Sequence, residues 1–158
     1  MVKTTPRDGE WERRGGKTAG GGVAVPDGGI MKTLVETTVL DNGLTMEVWD
    51  RSRPIAADTT KVELYVRVPV RLERDFFPGD EAFDVVRRIW DDPIVYEYVR
   101  ERTFVGNDAR EAVFAELLAA FRAHTLPYLG RPDFARGLAL ARYREYLNNP
   151  HTFRNRLQ

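Results

Sequence analysis

From Lys61 to Leu72 the chain alternates without a break. Val62, Leu64, Val66, Val68, Val70 and Leu72 are apolar, and Lys61, Glu63, Tyr65, Arg67, Pro69 and Arg71 stand between them. Side chains on a strand point to opposite faces with a period of two, so this pattern predicts a strand with one buried face and one wet face. The buried side needs a partner layer, and the rest of the chain reads as its neighbours and cover. Proline cannot donate to a ladder, so central pairing is expected to stop before Pro69.

Two further alternating runs, 34–40 and 44–50, flank Asp41-Asn42-Gly43. Asn-Gly takes the positive backbone angles of hairpin turns, which predicts an antiparallel pair beside the long strand. Residues 94–105 return to strand-favouring types, with Tyr96 and Tyr98 on one side and Val95, Val99 and Thr103 on the other. Helical spacing appears three times. Over 80–90, Asp80 is placed to cap, Phe83, Val86, Ile89 and Trp90 recur at helical intervals, and Pro93 closes the segment. Over 108–124, Asp108 and Glu111 resemble a capping box ahead of a stripe of Val113, Phe114, Leu117, Leu118 and Phe121. Over 132–148, Pro132 suits a first turn, and Phe134, Leu138, Ala141, Tyr143, Tyr146 and Leu147 carry a helix that Asn149-Pro150 stops. The expected fold class is α+β: an antiparallel sheet of about four strands (34–40, 44–50, 60–72, 94–105) covered by about three helices (80–90, 108–124, 132–148). The link from the first helix to the fourth strand leaves open whether that pair is parallel or antiparallel.

Residues 1–30 hold eight of the 13 glycines and few apolar residues, which predicts a disordered tail ahead of a single domain at 31–158. Within it, Gly15-Gly16-Lys17-Thr18 matches the end of a phosphate-binding loop. Trp11 stands where that pattern needs glycine and no buried strand precedes it, so the match is set aside. A chain of 158 residues with 42% hydrophobic and 30% charged positions is ordinary for a globular domain. No window suits a membrane span and no apolar signal-peptide core is present, so a cytoplasmic location without a membrane partner is expected. Having no cysteine, the chain excludes disulfides, thiolate metal sites and cysteine nucleophiles.

A net charge of zero removes any global pull toward nucleic acid. Locally, 73–118 holds 12 acids against six arginines, a net of minus six, and 119–158 holds seven arginines against Asp133 and Glu145, a net of plus five. After Lys61 every basic residue apart from histidine is arginine, which reads as codon usage and solvated faces. The two histidines, His124 and His151, have no partner at a recognisable spacing, and His124 suits a helix carboxyl end. Asp91-Asp92 reads as a helix stop before Pro93, and Glu97 and Glu101 as cross-strand partners of Lys61, Arg67 or Arg71. No catalytic residue is assigned, and neither a metal nor a cofactor is expected.

These features point to a small interaction or accessory domain. Its partner, another protein or a second copy of the chain, is expected at the sheet edge or on the wet face bearing Tyr65 and Arg67. One alternative is a nucleic-acid binder using Arg136, Arg142, Arg144, Arg154 and Arg156 with Tyr143 and Tyr146. Arg142 and Arg144 stand about 200° apart on a helix and do not share one narrow face. The other alternative is a small enzyme using His124 or His151 with nearby carboxylates.

Overall fold

The computed structural model describes residues 23–27 and 30–158, with the backbone alone for 23–27, 30 and 31. The strands are β1 (Val23–Asp27), β2 (Ile30–Val39), β3 (Thr45–Asp50), β4 (Arg53–Pro54), β5 (Thr59–Val70) and β6 (Ile94–Gly106). The helices are α1 (Asp80–Trp90), α2 (Arg110–His124), the single turn α3 (Leu126–Leu129) and α4 (Phe134–Asn148). Three 3-10 turns join them at Arg74–Phe76, Asn107–Ala109 and Pro150–Arg156. The expected α+β class with an antiparallel sheet is what the chain adopts. It forms two compact units, one from the residues up to Val68 with Glu97–Arg131, the other from Pro69–Tyr96 with Pro132–Gln158.

In the first unit the strands pair antiparallel from β1 to β2 to β3 to β5. β4 continues the β3 side of β5, since Asp50 opposes Leu64 and Arg53 opposes Lys61 in one unbroken register. β6 pairs with the other side of β5. Tyr65 meets Glu97 and Lys61 meets Glu101, so a step of four up one strand is a step of four down the other, and this pair is antiparallel too. Both β1 and the start of β2 lie within 1–30, the stretch read from composition as a tail; 1–22, 28 and 29 lie outside the described residues.

Asp41-Asn42-Gly43 makes the hairpin. Leu40 and Leu44 are bonded through Leu40 N–H, and Gly43 N–H returns to Leu40 O, both at 2.8 Å. Within this turn only Gly43 has a positive φ, at 90°, the arrangement of a type I turn closed by a left-handed residue. Asn42 instead uses its side chain, accepting from Leu44 N–H at 3.1 Å and donating to the carbonyls of Leu129 and Arg131 at 2.8 Å each. A bulge between Leu34 and Glu36 switches β2 from one face to the other, so Glu36, Thr38 and Leu40 join the even-numbered face of β3 and β5.

That even-numbered face is the core of the unit: Met46, Val48, Val62, Leu64, Val66 and Val68 are buried, as are Leu117, Leu118 and Phe121 of α2. The contacts of α2 with the strands land here, Arg122 on Glu36, Arg110 on Asp50, Glu116 on Arg102 and Phe121 on Tyr98. Pairing of β3 with β5 ends at Arg67, two residues short of Pro69, although β5 itself runs on to Val70.

In the second unit α1 buries Ala82, Phe83, Val86 and Ile89, and α4 buries Phe134, Leu138 and Ala139. Rings join these elements: Phe77 meets Phe83 and Tyr143 edge-on, and Tyr96 meets Phe134. Ala141 and Leu147 are exposed, so the apolar stripe expected on α4 is narrower than its spacing suggested. Neither expected cap forms, Asp80 for α1 or Asp108 for α2. Gly79, Ala109 and Asp133 occupy the N-cap positions of α1, α2 and α4 without a side-chain cap bond. Asp80 lies one residue inside α1, where its carboxylate takes Arg74, and Asp108 lies within a 3-10 turn.

After α1, Asp91 has φ 66° and ψ −174° while its N–H still bonds Arg87 O at 2.9 Å. That region of backbone space belongs almost entirely to glycine, and holding another residue there costs on the order of 1–3 kcal/mol. Asp92 then accepts the N–H of Leu72 at 3.0 Å.

Candidate functional site

The odd-numbered face of the sheet, expected to be wet, is a closed layer of charges and rings. Its rows follow the strand register: Glu47 with Arg67, Trp49 with Tyr65, and Arg53 with Lys61. Tyr65 is only 6% exposed. Its hydroxyl donates to Glu97 at 2.5 Å, the Arg51 guanidinium lies 4.1 Å from its ring centre and the Lys32 ammonium 5.7 Å. Glu63 is buried as well, taking Arg51 at 2.5 Å and Lys61 at 3.7 Å. Lys61 also reaches Glu101 at 2.8 Å, and Glu47 accepts from Trp49 at 3.0 Å and Arg67 at 3.3 Å.

Alternation alone gave the wrong exposure because it counts polarity and ignores pairing. A buried charge is tolerated when a partner and hydrogen bonds replace its water, and here the cross-strand neighbours supply both. Burial, then the Glu97 hydrogen bond and charge, push the Tyr65 phenol up to about 12, with Arg67 and Arg51 opposing. The phenol therefore keeps its proton at neutral pH and offers no ready base.

A pH dependence follows. The folded value lies above the unfolded 10.0, so the stabilisation is fully present below pH 10 and is lost as pH rises toward about 12. Thermal melts from pH 9 to 12 should show wild type losing on the order of 1 kcal/mol more than Tyr65→Phe, after discounting for solvent screening. Parallel declines in the two proteins would contradict this.

The edge of the sheet is different. Among the described residues β6 pairs only with β5. Its charges are already engaged: Glu97 by Tyr65, Arg100 by the Tyr98 hydroxyl, Glu101 by Lys61 and Arg102 by Glu116. Among the described residues no strand pairs with the other side of its main chain, where only Val95 O is taken, by Arg142, and Val99 and Phe104 are exposed. Phe104 is 79% exposed and its φ is 55°. A bulky residue with a positive φ is a backbone outlier, and nothing in the sequence pattern marks it. Just beyond it Asn107 anchors the loop before β5, donating to Asp58 O and Ala57 O at 3.1 and 3.2 Å and accepting from Thr60 at 2.7 Å. Exposed Ile55 belongs to the same loop.

The arginines proposed for nucleic acid all fall in the second unit and differ in what they bond. Arg136 and Arg144 are exposed; Arg154 meets His151 Nδ1 at 2.8 Å. Arg142 is half-buried, donates to Val95 O at 3.1 Å, and stands 5.9 Å from the Trp90 ring centre, its Nε buried without a hydrogen-bond partner. Arg156 donates to Ile89 O. His124 is exposed and makes no hydrogen bond or ion pair among the described residues, so a catalytic role through it has no support.

No family model, curated protein or solved structure matches the chain. Among the described residues no helix is long and apolar enough to cross a membrane.

Proposed function

We propose that the protein is an interaction domain that receives an extended segment of a partner protein along the open side of β6, with Phe104 as its anchor. The observation that carries this reading is Phe104 itself. Its backbone strain costs on the order of 1–3 kcal/mol, and its ring is left in water with no aromatic partner among the described residues. Neither feature helps the fold, and exposed aromatic side chains are the commonest anchors of binding surfaces.

The chemistry of the edge selects the partner. With the β6 charges engaged within the chain, the edge beyond Val95 offers main-chain donors and acceptors that no strand pairs among the described residues, flanked by apolar side chains, which suits strand addition by an apolar segment. A second copy suits it less well. Two-fold antiparallel pairing centred on Val99 sets Glu97 against Glu101, centring on Arg100 sets that residue against itself, and centring on Glu101 does the same for the acid. Like charges directly opposite one another are destabilising.

The test is photo-crosslinking from a benzoylphenylalanine placed at position 104 of the full chain in its host cell. A single adduct of defined mass is expected, with a mass other than twice that of the chain. An adduct of twice the chain mass would replace the partner by a second copy, and no adduct would overturn the reading.

A further inference from the structure

The second unit holds a cleft of about 350 Å³ lined by Ile89, Trp90, Asp91, Thr152, Phe153 and Arg156, within the size range of small-ligand sites. Its wall is built where the last 3-10 turn packs onto α1. Trp90 and Phe153 meet with ring centres 5.0 Å apart and planes at 52°, Arg156 donates to Ile89 O, and Arg88 donates to Leu157 O at 2.7 Å.

Three kinds of group converge there. Aromatic faces are supplied by Trp90 and Phe153. Asp91 contributes a carboxylate that no side chain engages among the described residues, and the backbone bearing it is held in glycine-like geometry at the mouth of the cleft. Arg156 contributes a guanidinium, with Arg88 and Arg142 also bonded in or stacked on the same framework. Strained non-glycine backbone gathers at ligand clamps, so its coincidence with a cleft of mixed chemistry is informative.

From this set we infer that the cleft binds a nucleoside monophosphate. The base stacks on the aromatic pair, the ribose hydroxyls donate to Asp91, and the phosphate takes Arg156, whose planar fork matches phosphate oxygens. The lining carries one arginine and one carboxylate, so a ligand with both an anionic group and hydroxyl donors finds a partner for each. A longer nucleic acid is not required, since Arg136 and Arg144 are not among the lining residues.

The test is a titration of the full-length chain with AMP, GMP, CMP and UMP, followed by the Trp90 indole resonance and assigned with Trp90→Phe. At least one nucleotide should shift that resonance saturably, and its nucleoside should bind about tenfold more weakly for want of the charge-assisted contact. Arg156→Gln should bring the nucleotide down to the nucleoside's affinity while leaving the nucleoside unchanged. Asp91→Asn, on an exposed side chain, should weaken both and decides the matter if the loss of Arg156 loosens the last turn. The proposal is overturned if no nucleotide gives a saturable shift at millimolar concentration, if inorganic phosphate alone reproduces the response, or if both variants bind as wild type does.

Discussion

Replacing Phe121 by alanine should cost about 3–5 kcal/mol, the range for truncating a fully buried phenylalanine. The ring is 0% exposed and lies 4.9 Å from that of Tyr98, at the point where α2 meets β6. Leu117 and Leu118 are buried one turn earlier on the same helix, so truncation opens a cavity between helix and sheet that backbone stiffness keeps from collapsing. Because domains are stable by only about 5–15 kcal/mol, this single change should bring the first unit close to unfolding. Urea denaturation followed by circular dichroism reads the effect directly. A loss below about 1 kcal/mol would mean that the core lies elsewhere.

Asn42→Ala should cost about 2 kcal/mol although the residue stands in a surface turn. Its amide donates to two carbonyls, of Leu129 and Arg131, and its oxygen accepts from Leu44 N–H, so one side chain ties the hairpin to the end of α3. Deleting it leaves those carbonyls without their donor, and unmet backbone groups are more expensive than an average hydrogen bond. Asn42→Asp keeps the acceptor and loses both donors, setting a carboxylate against two carbonyl oxygens. It should therefore be at least as damaging as alanine in the same melts.

The parts of the fold legible in the sequence are those set by periodicity. Val62, Leu64, Val66, Val68 and Val70 are all buried because a strand has no other way to place alternate side chains, and Leu72, just past the end of β5, is buried as well. The hairpin at Asn42-Gly43 and the helix spanning Phe83 to Trp90 follow from equally local rules. Pairing between distant residues is legible only in part: Glu101 reads as a cross-strand partner of Lys61 and meets it at 2.8 Å, whereas Glu97 takes Tyr65 and not a basic residue. Glu63 and Tyr65 read as wet because their partners Arg51 and Glu97 lie 12 and 32 positions away. Val23–Asp27, within the stretch read as tail, pairs with β2, a pairing that glycine-rich composition does not reveal.

For the candidate sites, composition singled out late arginines as a group, and tertiary packing divides them by what they bond. Arg142 and Arg156 bond backbone carbonyls, and Arg136 and Arg144 stay exposed. Phe104 and Asp91 escaped because a positive φ at a non-glycine residue is imposed by surrounding structure and has no signature of its own.

The most direct test of partner binding through β6 is a crosslinking map, with the photoreactive residue placed in turn at positions 99, 104, 35 and 147, all of them exposed. Adducts of one and the same partner at positions 99 and 104, and none at 35 or 147, are the expected result. Adducts of equal yield at all four positions, or none on β6, would contradict it.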